Sequence, residues 1–171
     1  VLQRIAMCYL AATIVTRLTT PTNDDTRTHM AGLAAAAGAL CMGYAILLLW
    51  LPVPGGHAGD LSPAGNLGAW LDRTLLAGHL WKAEWDPEGL LSTLPAVATT
   101  LLGVIAGLSF RMAGDLASWR RGLSVGGLIA IAIGLMWNEA FPINKSLWTS
   151  SYVFFTGGIP ALAVAAGSWW C

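Results

Sequence analysis

Apolar positions in this chain come in long runs, and polar positions gather between the runs instead of alternating with them. Residues 1–18 carry charge only at Arg4 and Arg17, residues 87–110 only at Glu88, and residues 147–171 none at all. The runs near 31–52 and 123–140 are of the same kind. Runs of about 20 apolar residues are long enough to cross the hydrocarbon core of a bilayer as helices. The pattern predicts an all-α, polytopic helical membrane protein. About five transmembrane helices are expected, near 1–18, 31–52, 87–110, 123–140 and 147–171, forming one transmembrane domain.

The connections are of different kinds. Thr19 to Met30 is a short polar loop. Pro52-Val53-Pro54-Gly55-Gly56 ends the second helix, because neither proline can continue the ladder. The connection 53–86 is much longer. It is rich in turn residues as far as Asn66 and then amphipathic from Leu67 to Trp85, so one interfacial helix is expected there. Trp70, Trp81 and Trp85 suit a segment at the headgroup level. Asp86-Pro87-Glu88 then reads as the start of the third long helix. Asp86 would cap it, Pro87 would lose no bond at the first position, and Glu88 would favour the positive end of the dipole. Pro95 is expected to bend that helix. Arg111 to Gly122 is a basic turn, and Phe141 to Trp148 is a tight corner into the last helix.

Composition sharpens this reading. Charged residues make up 11% of the 171, against roughly 25% in soluble domains. The net charge of zero implies no polyanion partner, so nucleic acid is not expected. Cys8 and Cys41 lie inside apolar runs and read as buried free thiols, and no metal-type spacing occurs. Five crossings place Arg17, Arg27, Arg111, Arg120 and Arg121 on one face, against Arg4, Arg73, Lys82 and Lys145 on the other. That margin leans toward a cytoplasmic face at the arginine turn. The start at Val1 and the end at Trp169-Trp170-Cys171 read as those of an internal fragment of a larger membrane protein, with no signal peptide.

The opposite face holds six of the nine acidic residues: Asp60, Asp72, Glu84, Asp86, Glu88 and Glu139. Carboxylates near a bilayer surface can bind an amino-bearing substrate or act as a base. A solvated loop is the competing reading, and Asp72-Arg73 in particular reads as the wet face of the interfacial helix. His79 sits near the membrane plane beside Leu80 and Trp81, whereas His57 reads as a loop residue. Gln3 and Arg4, at the start of a spanning segment, either snorkel or mark a cavity. Asn138, Glu139, Asn144 and Lys145 gather in one corner. The third and fifth helices are expected to pack together at this end, with Lys145 in ion-pair reach of Asp86, Glu88 or Glu139. The candidate substrate-binding set is therefore Asp86, Glu88, Asn144, Lys145, Arg73, His79, Gln3 and Arg4.

Four stretches together resemble the heparan-alpha-glucosaminide N-acetyltransferase family and its bacterial relatives. They are Val1-Leu2-Gln3-Arg4-Ile5-Ala6, Pro52-Val53-Pro54-Gly55, Trp85 to Pro95 with Leu102-Gly103-Val104, and Pro142 to Ser150 with its Asn144-Lys145-Ser146-Leu147-Trp148 core. Asp72-Arg73 and His79-Leu80 also fall where that family has similar residues. The resemblance implies an integral membrane acyltransferase, in a bacterial inner membrane by its alanine-rich sequence. Such an enzyme would move acetyl from cytoplasmic acetyl-CoA, as co-substrate, to an amino-sugar acceptor on the far side of the lipid bilayer. A homo-oligomer stays open. The same resemblance places the family's catalytic histidine upstream of the Leu-Gln-Arg helix. None of His29, His57 and His79 matches it, so the chain alone is expected to be inactive. The arginine turn has the charge to attract coenzyme A phosphates. The alternative reading is a transporter or channel for a small polar solute.

Overall fold

The computed structural model describes residues 2–23 and 25–168. Over these residues the chain forms six helices and no strand: α1 (Leu2–Thr19), α2 (Thr26–Trp50), α3 (Leu67–Leu75), α4 (Thr93–Met112), α5 (Leu116–Trp137) and α6 (Ser150–Gly167). Four of them, α2, α4, α5 and α6, are long and apolar enough to cross a membrane. The protein is thus a helical membrane protein. At 18 residues α1 equals α6 in length, but Gln3, Arg4 and Arg17 dilute it and it is not among the four.

The long helices gather around α4, which packs against α1, α2, α5 and α6. One core joins Cys8 and Ala12 of α1, Leu33, Ala37 and Cys41 of α2, Ala96, Val97, Ala98 and Leu101 of α4, and Val153 of α6. A second core lies at the end where α2 finishes and α4 starts, hereafter the loop end. It is formed by Tyr44, Ala45, Leu48, Phe141 and Leu147. Between α5 and α6 the backbones themselves touch. A Cβ on Gly134 would come within 2.6 Å of the Phe155 nitrogen, and one on Gly158 would run into the Gly127 carbonyl oxygen. Small residues permit that approach where lipid supplies no hydrophobic drive. Cys8 and Cys41 are buried and free, as expected.

Several boundaries differ from the sequence reading, each for a local reason. Asp25 accepts a hydrogen bond from the Arg27 amide (3.0 Å), so α2 starts at Thr26 and not near 31. Asp115 accepts from the Ser118 amide (2.7 Å) and from the Ser118 hydroxyl (2.8 Å). That cap starts α5 at Leu116 instead of 123 and reduces the basic turn to three residues, 113–115. The interfacial helix covers Leu67–Leu75 alone, and the chain from 76 to 92 is irregular. The expected run of the last helix to 171, with Cys171, lies partly outside the described residues.

The largest correction concerns Asp86. It does not cap the long helix, which starts seven residues later at Thr93. Its carboxylate closes a local turn instead, accepting from the Glu88 amide (2.8 Å) and the Trp81 amide (3.1 Å). Pro95 is then the third helical residue. Its missing N–H would be unpaired there anyway, so it helps to start α4 and does not bend it.

Candidate functional site

Arg4 ties the loop end together. It projects from the first turn of α1 and is only 8% exposed. Its two terminal nitrogens donate to the carbonyl oxygens of Pro87 and Ser92, both at 2.7 Å. These carbonyls flank the irregular entry to α4. The planar guanidinium fork holds both with donors fixed in one plane, a preorganisation that a lysine ammonium lacks. The same group lies 4.6 Å from the centre of the Trp148 ring, within cation–π range. Asp86 and Glu88 are within electrostatic reach of it.

Trp148 is held from the other side. Its indole N–H donates to the Thr99 hydroxyl of α4 at 3.1 Å. It is the only non-glycine among the described residues with a positive φ, +54°, a conformation costly for a bulky side chain unless its surroundings enforce it. The enforcing bonds are visible. Asn144 accepts from the amides of Ser146 (2.9 Å) and Leu147 (3.2 Å), and Thr149 donates to the Pro142 carbonyl (2.9 Å) while accepting from the Asn144 amide. Tyr44 of α2 donates its hydroxyl proton to the Leu147 carbonyl. Ser150 donates to the Cys41 carbonyl at 2.6 Å. The corner is thus fastened to α1, α2 and α4 together.

Asp72 is the second anchor at this end. Its place in the sequence suggests the wet face of the interfacial helix, yet it is 2% exposed. One carboxylate oxygen accepts from the Leu90 amide at 2.9 Å and so fastens α3 to the entry of α4. Burial pushes its carboxyl above the usual carboxylate range. The Leu90 bond acts against that rise and the nearby Asp86 charge adds to it. Gly89 leaves the room this needs, because a Cβ there would run into the second Asp72 oxygen. The sequence does carry a signal: Asp72 continues the helical stripe of Ala69 and Leu76, three and four residues away. Asn66 caps α3 through the Ala69 amide (2.9 Å) and donates to the Ser62 and Pro63 carbonyls.

The remaining candidates divide. Arg73 bridges the two halves of the long loop by donating to the carbonyls of Ala64 (2.7 Å) and Glu84 (2.6 Å). Gln3, His79 and Lys145 are exposed, and Glu88 is half-buried. The ion pair expected for Lys145 does not form among the described residues, and the cation that holds the two corners is Arg4. The corners do meet: Asp72, Asp86 and Ser92 line one small cavity with Tyr44, Ser146 and Leu147. At about 10 Å³ it has room for about one water. No group of three or more metal-ligating side chains occurs among the described residues.

The other end of the bundle is open. A cavity of about 400 Å³ lies between the ends of α1, α2 and α4, lined by Thr16, Thr20, Asp25, Thr26, His29 and Arg111 with Pro21 and Leu108. The His29 ring donates from Nε2 to the Thr16 carbonyl (3.1 Å). The Arg111 side chain has no partner among the described residues. Arg120 is tied to the Ser168 carbonyl at 3.2 Å.

No family model matches the chain. Two curated proteins are similar to it. Heparan-alpha-glucosaminide N-acetyltransferase of Mus musculus is 34% identical over 141 residues, covering 63% of this chain and 21% of that protein. Heparan-alpha-glucosaminide N-acetyltransferase of Homo sapiens is 32% identical over 138 residues, with the same two coverages. The chain therefore spans about a fifth of the length of the curated N-acetyltransferases it matches.

Proposed function

We propose that this chain is part of a membrane acyltransferase that moves acetyl from acetyl-CoA to an amino sugar across the bilayer. One observation carries the reading. The stretches that resemble the N-acetyltransferases lie far apart in sequence, yet Arg4 joins them: it bonds to Pro87 and Ser92 and stacks on Trp148. Similarity to two N-acetyltransferases supplies the chemistry. In this reading α1 is a fifth crossing, and the loop end faces away from the cytoplasm of a bacterial cell.

The residues of this chain would act as the frame of the acceptor end. Arg4, Asp72 and Asn144 hold the backbone, and Asp86 and Glu88 set a negative field that favours an amine. In this reading Gln3, Arg73, His79 and Lys145 would supply further polar contacts to the acceptor. Proton removal from the amine falls to a histidine that none of His29, His57 and His79 supplies. The test is acetyl transfer by the full-length protein in sealed vesicles, from labelled acetyl-CoA outside to glucosamine inside. Labelled N-acetylglucosamine inside the vesicles is the expected result. Passage of a polar solute without acetyl transfer would instead establish a transporter.

A further inference from the structure

The cavity at the arginine end lies apart from the residues assigned above to the acceptor end. It lies where α2 begins and α4 ends, and the ends of spanning helices meet the headgroup region. Its volume, about 400 Å³, falls within the range of small-ligand sites, about 300–1,000 Å³. Two fixed charges of opposite sign line it, Asp25 and Arg111, and they are not paired with each other. The Asp25 oxygens accept from the Arg27 amide and the Thr28 hydroxyl, bonds that favour its ionised form and leave further lone pairs. Thr26 lines the same space, and Leu108 and Pro21 add apolar surface to it. Asp25 also caps the start of α2, and the opposite charge comes from another helix, Arg111 in the last turn of α4.

We propose that this cavity binds the headgroup of a zwitterionic phospholipid bearing a primary ammonium. Its phosphate would lie against Arg111 and its ammonium against Asp25. A bare anion would meet the Asp25 charge. A quaternary ammonium could not donate a hydrogen bond to it. His29 shapes the wall by holding the Thr16 carbonyl of α1.

The experiment takes the full-length protein in vesicles of equal parts phosphatidylethanolamine, phosphatidylcholine and phosphatidylglycerol, extracts it gently, and counts retained lipids by native mass spectrometry. Phosphatidylethanolamine should be retained about tenfold over either competitor, the worth of one hydrogen bond to a charged group. Arg111→Gln and Asp25→Asn should each abolish that preference. Asparagine still caps a helix, so the second variant keeps the fold, and Arg120→Gln should leave the preference intact. Equal retention of phosphatidylglycerol or phosphatidylcholine would overturn the proposal. So would a preference that survives both variants, or displacement of the lipid by inorganic phosphate, which would mark a soluble-anion site. Acetyl transfer is not read in this test, so its result is independent of the acyltransferase reading.

Discussion

The two ends of the bundle handle polar groups in opposite ways. At the loop end, Arg4, Asp72, Asn144 and Trp148 are buried or half-buried and bonded to their surroundings, and the cavity among the joined corners holds about 10 Å³. At the arginine end, Arg111 is unpaired among the described residues and opens on about 400 Å³. Buried polar groups go unrepaid for desolvation unless they find partners; at Arg4 both terminal nitrogens do, while its buried Nε has no hydrogen-bond partner among the described residues. At a water-exposed end the same residue types can stay free for a ligand. Polar residues at a membrane end are therefore not all alike: some fasten helices, and others line space.

Substitutions should separate the two kinds. Arg4→Met should be the most damaging, costing on the order of 3 kcal/mol, since two charge-assisted bonds vanish and one buried and one half-buried carbonyl lose their partner. Unfolding in denaturing detergent would measure it. A loss under about 1 kcal/mol would mean that water replaces the clamp. Gly89→Ala comes next. Its Cβ would meet the Asp72 carboxylate, and overpacking of this kind costs about 1–3 kcal/mol. Adding Asp72→Ala should recover part of that loss, because the obstacle is then gone.

Acid titration should give the two ends opposite slopes. The folded protein holds the Asp72 proton more tightly than the unfolded chain does. Its contribution to stability is therefore present below the ordinary carboxylate value, about 3.9, and is lost as pH rises through the raised folded value. For Asp25 and Asp115 the cap bonds hold the carboxyl below the usual range, from Thr28 and Arg27 in one case and Ser118 in the other. Their contributions are present above the ordinary value and are lost as pH falls through the lowered one. Stability curves of Asp72→Asn and Asp115→Asn against the parent should diverge from it in opposite senses. Parallel curves would contradict the assigned environments. The smallest effect belongs to exposed Lys145: thermal unfolding of Lys145→Ala should stay within about 0.5 kcal/mol of the parent.

Much of the architecture is legible in the sequence because length and apolarity govern membrane helices more than local propensity does. The runs that form α2, α4, α5 and α6 stand out without any structure. Helix starts are less legible. Asp25 and Asp115 are ordinary capping residues hidden beside polar loops, whereas Asp86-Pro87 is a stronger local start signal that tertiary bonds redirect into a turn. At the site, proximity of the Asp86 loop to the Asn144 corner is readable from topology. The identity of the joining cation is not. Lys145 is adjacent in sequence, but Arg4 arrives from more than 80 residues away and offers a fork that fits two carbonyls. Asp72 is easily misplaced because an acid in a loop helix reads as solvated unless its helical stripe is traced.

Hydrogen exchange by mass spectrometry on the parent and on Arg4→Met tests the central claim, that one buried arginine binds the separated polar stretches into a single unit. The variant should lose protection in two distant segments together, 87–94 around the α4 entry and 144–150 around Trp148. Protection at 113–123, on the arginine end, should be unchanged. Loss confined to the start of α1, or spread evenly over both ends, would contradict that claim.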